Sequence, residues 1–264
     1  MNQSSSASDQ LPFEGTIASV NDIQLYYEEY GTGTPLVLLH GFTQTSQLWQ
    51  PFIAEFAKYF RLIIPDMRGH GRSTNTLNEF THRQSALDIF ALLDQMKIER
   101  FKAIGFSSGG ETLIHMATQQ PDRVEAMVLI GASSYWNEQA RDVMRGITVD
   151  SEFWDWEKLR RLHVQGDAQI RTLINQLHDM KDSYDDMNFT APYLSTITAK
   201  TLLMYGDRDH WCPVSLAVEM YSAIPNAYLW IVPNGDHGPF GGERAELFTR
   251  TTLEFLRAEW EKTS

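Results

Sequence analysis

Cysteine is nearly absent from this sequence. Cys212 is alone among 264 residues, which rules out an internal disulfide and any zinc site built from cysteine ligands. Such a chain suits a reducing compartment, and a cytoplasmic location is expected. Basic residues are also scarce: 22 Lys and Arg stand against 34 Asp and Glu, for a net charge of −12. That balance opposes binding to nucleic acid or to an anionic membrane surface. No stretch approaches the ~20 apolar residues that a membrane-spanning helix needs. The opening "MNQSSSASDQ" lacks the basic and apolar regions of a signal peptide and reads as a disordered tail over residues 1–12. Internal repeats and low-complexity linkers are missing, and no histidine pair has zinc-protease spacing, so neither metal nor cofactor is expected.

What the chain does contain is a series of short apolar runs. "GTIASV" and "IQLYYEEY" alternate in polarity on either side of "ND", the pattern of a β-hairpin. After them come "PLVLLH", "RLIIPD", "FKAIGF", "AMVLIGA", "TLLMYGD" and "AYLWIVP", each of the kind that buried parallel strands make. Helical patterns separate most of them. In "THRQSALDIFALLDQMK", Ala86, Ile89, Phe90 and Leu93 share one face. Strands alternating with helices predict an α/β fold: a mostly parallel eight-stranded sheet with helices on both faces and an N-terminal antiparallel hairpin. The alternation breaks once, between Ala132 and Thr201, where helical patterns occur without a convincing strand. Residues 133–198 are therefore expected to be a helical insertion between two core parts, 13–132 and 199–264. Its acidic run "DMKDSYDD" reads as a solvated turn.

The stretch "FKAIGFSSGGET" places two serines at the carboxyl end of a strand, where sites form in α/β sheets. A nucleophile on a tight strand-to-helix turn needs small residues two positions away on either side, because the chain folds back on itself. Around Ser107 those flanks are Gly105 and Gly109; around Ser108 they are Phe106 and Gly110. Ser107 is therefore the candidate nucleophile, and Glu111 suits the first turn of the following helix. An acid and a histidine then follow at the ends of later strands: Asp207 and Asp209 after "TLLMYG", and His237 after "AYLWIVP".

The order Ser, acid, His resembles the α/β-hydrolase superfamily. The resemblance runs from about residue 14 onward and includes "LLHGF" and "DMRGHGRS". It makes 133–198 a cap and implies the following roles. His237 is the general base for Ser107. The acid is Asp209, because Gly206, Asp209 and Pro213 fit the family's Gly-x-x-Asp-x-x-x-Pro register; Asp207 is then a turn residue. The backbone amides of Phe42 and Ser108 form the oxyanion hole, leaving the Ser108 hydroxyl incidental. His40 and His70 are structural, and the remaining histidines are structural or at the surface.

A serine at the elbow argues against the superfamily's dehalogenases and epoxide hydrolases, which need an aspartate there. "HGFT" lacks the Gly-Gly-Pro-Gly run of proline iminopeptidases. Gly238, Pro239 and Phe240 stand where carbon–carbon bond hydrolases commonly carry a tryptophan. Cofactor-free haloperoxidases and perhydrolases share the "GFS" lead-in. The resemblance thus implies a hydrolase for a small to medium uncharged ester, with Phe42, Trp136 and Trp154 as substrate-binding residues. Lactones, C–C substrates and a receptor-like binding role are the alternatives.

Overall fold

The computed structural model describes residues 15–261; the expected tail over 1–12 lies outside them. β1 (Thr16–Val20) and β2 (Ile23–Tyr30) form the hairpin, turning at Asn21 with φ 47°. They are followed by β3 (Thr34–Leu39), α1 (Gln50–Phe56), β4 (Phe60–Pro65), α2 (His82–Gln95), β5 (Phe101–Phe106), α3 (Ser108–Gln119) and β6 (Val124–Ile130). Four helices come next, α4 (Glu138–Gly146), α5 (Trp156–Leu162), α6 (Asp167–Asp179) and α7 (Ala191–Leu194). The sheet then resumes with β7 (Lys200–Gly206), α8 (Val214–Ala223), β8 (Ala227–Val232) and α9 (Ala245–Leu256). Among the described residues no helix is long and apolar enough to cross a membrane.

All eight strands join one sheet in the order β1-β2-β4-β3-β5-β6-β7-β8. The pairs β1/β2 and β2/β4 are antiparallel and the remaining five are parallel. The central runs are apolar throughout because both faces are covered. Val37, Leu39, Ala103, Met127, Leu129 and Leu203 pack on the side that includes Ala86, Ile89, Phe90 and Leu93 of α2. Their neighbours Leu36, Leu38, Ile104, Val128 and Leu202 pack on the opposite side with Phe52, Phe56, Phe248 and Phe255 of α1 and α9. The period of two along each strand sends alternate residues into the two layers.

This topology sets the site. The parallel strands β3, β5, β6, β7 and β8 end at one edge of the sheet, and the loops after β3, β5, β7 and β8 carry Phe42, Ser107, Asp209 and His237. The helices between β6 and β7 stand over the same edge. His163, at the end of α5, donates from Nε2 to Thr43 O (3.1 Å) and accepts the Gly71 amide at Nδ1 (3.0 Å). Gln169 of α6 donates to the carbonyls of Gly69 and Gly71. "DMRGHGRS" supports the loop after β3 from below. Its Asp66 accepts the Ser46 amide (2.8 Å), and the Met67 amide donates to His40 Nε2 (2.9 Å). His40 Nδ1 in turn meets Gly41 O at 2.8 Å; burial outweighs that bond, holds the pKa down to about 4 and keeps the ring neutral.

Candidate active site

Ser107 sits at the turn between β5 and α3 with φ 51° and ψ −121°, a strained conformation for a residue with a side chain. Backbone contacts enforce it. A Cβ on Gly105 would lie 2.5 Å from Gly109 O, and one on Gly109 would lie 2.3 Å from Leu39 O. Only glycine allows strand and helix to approach this closely. The turn lifts Ser107 Oγ toward the loop after β8, where His237 Nε2 lies 3.0 Å away. His237 Nδ1 is 2.8 Å from Asp209 Oδ2. Asp209 Oδ1 accepts the amides of Trp211 (2.7 Å) and Cys212 (3.1 Å), so both carboxylate oxygens are engaged and buried. The imidazole packs against Phe106 and Trp211, with ring centroids 5.1 and 5.9 Å away.

Ser107, His237 and Asp209 are thus brought into one hydrogen-bonded chain. Asp207 is not part of it; its Oδ1 accepts the Gly235 amide at 3.2 Å. Asp236 turns to the Gly238 amide. In such a chain the carboxylate fixes the imidazole with Nδ1 protonated, leaving Nε2 free to take the serine proton. Phe42 and Ser108 both flank Ser107 at the cavity. Among the described residues neither of their amides donates to another backbone group, so both remain available to a developing oxyanion.

The cavity over Ser107 is about 210 Å³ and mostly apolar. Phe42, Trp136 and Trp154 all line it, together with Met144, Ile147 and Met180 from the segment between β6 and β7. Phe42 also packs edge-on against His70 and Phe80, so its ring serves both the core and the cavity. Phe153 lines it too, beside Trp154, whereas Tyr184 and Tyr193 are exposed and Phe189 is buried against His115. Asp209, Cys212 and His237 offer donor atoms within 4.8 Å of one another. A metal would have to displace Asp209 from His237, and burial pushes the Cys212 thiol well up, keeping it protonated.

Three sequence readings need correction. The Ser108 hydroxyl is not incidental, for it lies 3.1 Å from His82 Nε2. The acidic run 179–186 is solvated only in part. Asp179 and Asp182 are exposed, but Asp186 is buried and accepts from His82 Nδ1 (2.7 Å) and from the amides of His82 and Arg83. Glu111 is more than a first-turn acid: Oε2 is 2.9 Å from His82 Nε2 and Oε1 accepts from Trp136 Nε1 at 3.2 Å. Burial alone would lower the pKa of His82, but Glu111 and Asp186 outweigh it and push it up to about 10. Trp211, beside His237, is a further site residue that was missed. No local motif marks any of these groups, since their partners lie up to 104 positions away in the chain.

The family model described as the alpha/beta hydrolase fold matches residues 34–161, from β3 into the insertion. The chain belongs to the α/β-hydrolase superfamily. Its relatives within that superfamily include hydrolases of different names. A pimeloyl-[acyl-carrier protein] methyl ester esterase of Vibrio campbellii is 25% identical over 88% of this chain and 98% of its own. A 2-hydroxy-6-oxo-6-phenylhexa-2,4-dienoate hydrolase of Comamonas testosteroni is 24% identical over 90% and 93%. Among solved structures, a thermophilic esterase from Thermogutta terrifontis superposes with a TM-score of 0.75 at 22% identity, covering 93% of this α/β hydrolase and 99% of that chain. At that identity the structural likeness speaks for the fold alone.

Proposed function

We propose that this α/β hydrolase cleaves small, uncharged carboxylic esters through an acyl-enzyme on Ser107. The observation that carries the proposal is the unbroken chain from Ser107 Oγ through His237 to Asp209, opening on an apolar cavity. In the acylation step His237 Nε2 takes the Ser107 proton as Oγ attacks the carbonyl carbon. The oxyanion is received by the amides of Phe42 and Ser108, with the N-terminus of α3 behind it. The imidazolium then protonates the departing alkoxide. A water attacks the acyl-enzyme by the same route, giving the acid and restoring the serine. Residues 133–198 act as a cap that supplies most of the apolar wall.

Substrate size follows from the cavity. At about 210 Å³ it falls below the ~300 Å³ at which ordinary small-molecule sites begin, which favours short acyl chains. Charge argues further. The name of the Comamonas testosteroni relative is that of a dienoate hydrolase, and a dienoate is a carboxylate. Among the described residues no Arg or Lys lines this cavity to receive one, so a neutral ester is the better fit.

A fluorophosphonate probe, with p-nitrophenyl acetate and butyrate as substrates, tests the reading. Labelling at Ser107, turnover of both esters, and loss of both in Ser107→Ala are expected. An unlabelled, inactive wild type would instead favour a receptor-like binding role.

A further inference from the structure

Among the described residues lining the cavity, Glu111 alone bears a carboxylate. It is buried and its position is over-determined. Oε1 accepts from the Trp136 indole and Oε2 faces His82, so the side chain has no free oxygen with which to swing toward solvent. His82 is itself held from the other side by Asp186, which reaches in from the insertion and caps the N-terminus of α2. The cluster therefore contains two carboxylates against one imidazolium. The opposing Glu111 and Asp186 charges outweigh burial and keep that imidazolium protonated, leaving one negative charge in excess. His115, which does not line the cavity, meets Asp186 from Nε2 at its carbonyl oxygen (2.8 Å) and at Oδ1 (3.4 Å). Arg141, next to the cavity-lining Ala140, directs its guanidinium to the carbonyls of Trp136, Lys181 and Ser183 and does not line the cavity.

We propose that Glu111 is a specificity-determining residue that keeps anionic acyl groups out of the cavity and weakens the hold on the carboxylate product. The proposal rests on the ester-hydrolase reading of the site. In a water-poor, apolar cavity, like charges a few ångströms apart repel far more strongly than in water. A neutral acyl chain meets no such repulsion, and hydrolysis converts a tolerated neutral ester into an acid that the wall repels. His82, Trp136 and Asp186 are positioning residues for this charge. The sulfur and aromatic wall supplies the attraction for the substrate; Glu111 supplies the discrimination.

The test uses the full chain. Butyramide and butyrate are titrated against the fluorescence of the cavity-lining tryptophans, and kcat/KM is measured for methyl butyrate and monomethyl succinate. Wild type should bind butyramide more tightly than butyrate. Asp209 contributes to that preference, so the informative quantity is its change in a variant. Glu111→Gln should narrow the ratio at least about tenfold, a floor that one like charge a few ångströms away exceeds even at an effective dielectric near 20, and should raise monomethyl succinate relative to methyl butyrate. Asp186→Asn, at a position that does not line the cavity, should narrow the ratio in the same direction and serves as the readout if Glu111→Gln does not fold. A carboxylate with only a structural role would alter stability and leave the ratio unchanged. An unchanged ratio in the folded variant overturns the proposal, as does a wild type that binds butyrate as tightly as butyramide. A narrowed ratio in a protein that hydrolyses no ester sinks the catalytic reading and leaves the charge assignment intact.

Discussion

Replacing Asp209 with asparagine tests the site at its most specific point. Asp209 Oδ1 already accepts two amides, from Trp211 and Cys212, while Oδ2 faces His237 Nδ1. An asparagine can satisfy those amides only with its carbonyl oxygen, which turns its NH₂ toward His237. The imidazole must then accept at Nδ1 and carry its proton on Nε2, 3.0 Å from Ser107 Oγ. A base becomes a donor, with little movement of atoms. A wrong-tautomer substitution of this kind costs about 10⁴ in kcat, or about 5 kcal/mol of transition-state stabilisation. The assay is kcat/KM on p-nitrophenyl butyrate, with the melting temperature as a check on folding. Asp207→Asn is the paired control, because Asp207 meets the Gly235 amide and the Arg208 guanidinium but not His237, and it should cost no more than about threefold, as expected of one neutral-scale hydrogen bond. Activity within tenfold of wild type in Asp209→Asn, or the larger loss in Asp207→Asn, would refute the assignment of the acid.

Two further expectations concern stability. Gly109→Ala pushes a methyl group to 2.3 Å from Leu39 O and 2.7 Å from His40 O, both rigid backbone. It should cost at least ~3 kcal/mol, read as a fall of about 10 °C in melting temperature. Gly146→Ala, which meets nothing within 4 Å, should leave the melting temperature unchanged or raise it. Equal melting temperatures would mean that the β5–α3 crossing is looser than described.

Acid sensitivity follows from His40. Burial lowers its pKa from 6.5 in the unfolded chain to about 4 in the fold. Between those values the unfolded state binds more protons, so stability rises with pH from about 4 to 6.5, by up to about 3 kcal/mol from this ring. Burial lowers His70 and His163 as well, which adds in the same direction. His82 does not offset this window, because with a pKa of about 10 it is protonated there in both states; its contribution is lost only as pH rises from about 6.5 to about 10. Urea titrations across pH 4–7 check the slope, and a flat profile would contradict it.

Much of the architecture was legible in the chain because it depends on local pattern. The run "FKAIGF" coincides with β5, and the hairpin closes at the "ND" pair, since burial on both faces and turn chemistry leave marks within a few residues. β6 begins at Val124, two residues before the apolar run that marked it, because a strand can continue at its edge without an apolar signal. Ser107 was distinguishable from Ser108 by its glycine flanks alone, as the close crossing of β5 and α3 is a local steric demand. Only the tertiary structure could bring Asp186 to His82, place the Ser108 hydroxyl on that imidazole, turn Glu111 into the cavity wall or set Trp211 beside His237. Those contacts join groups whose partners are far apart in sequence and which lack a shared period or spacing. Their charges and hydrogen bonds acquire meaning only once the sheet edge and the helices between β6 and β7 have excluded water from around them.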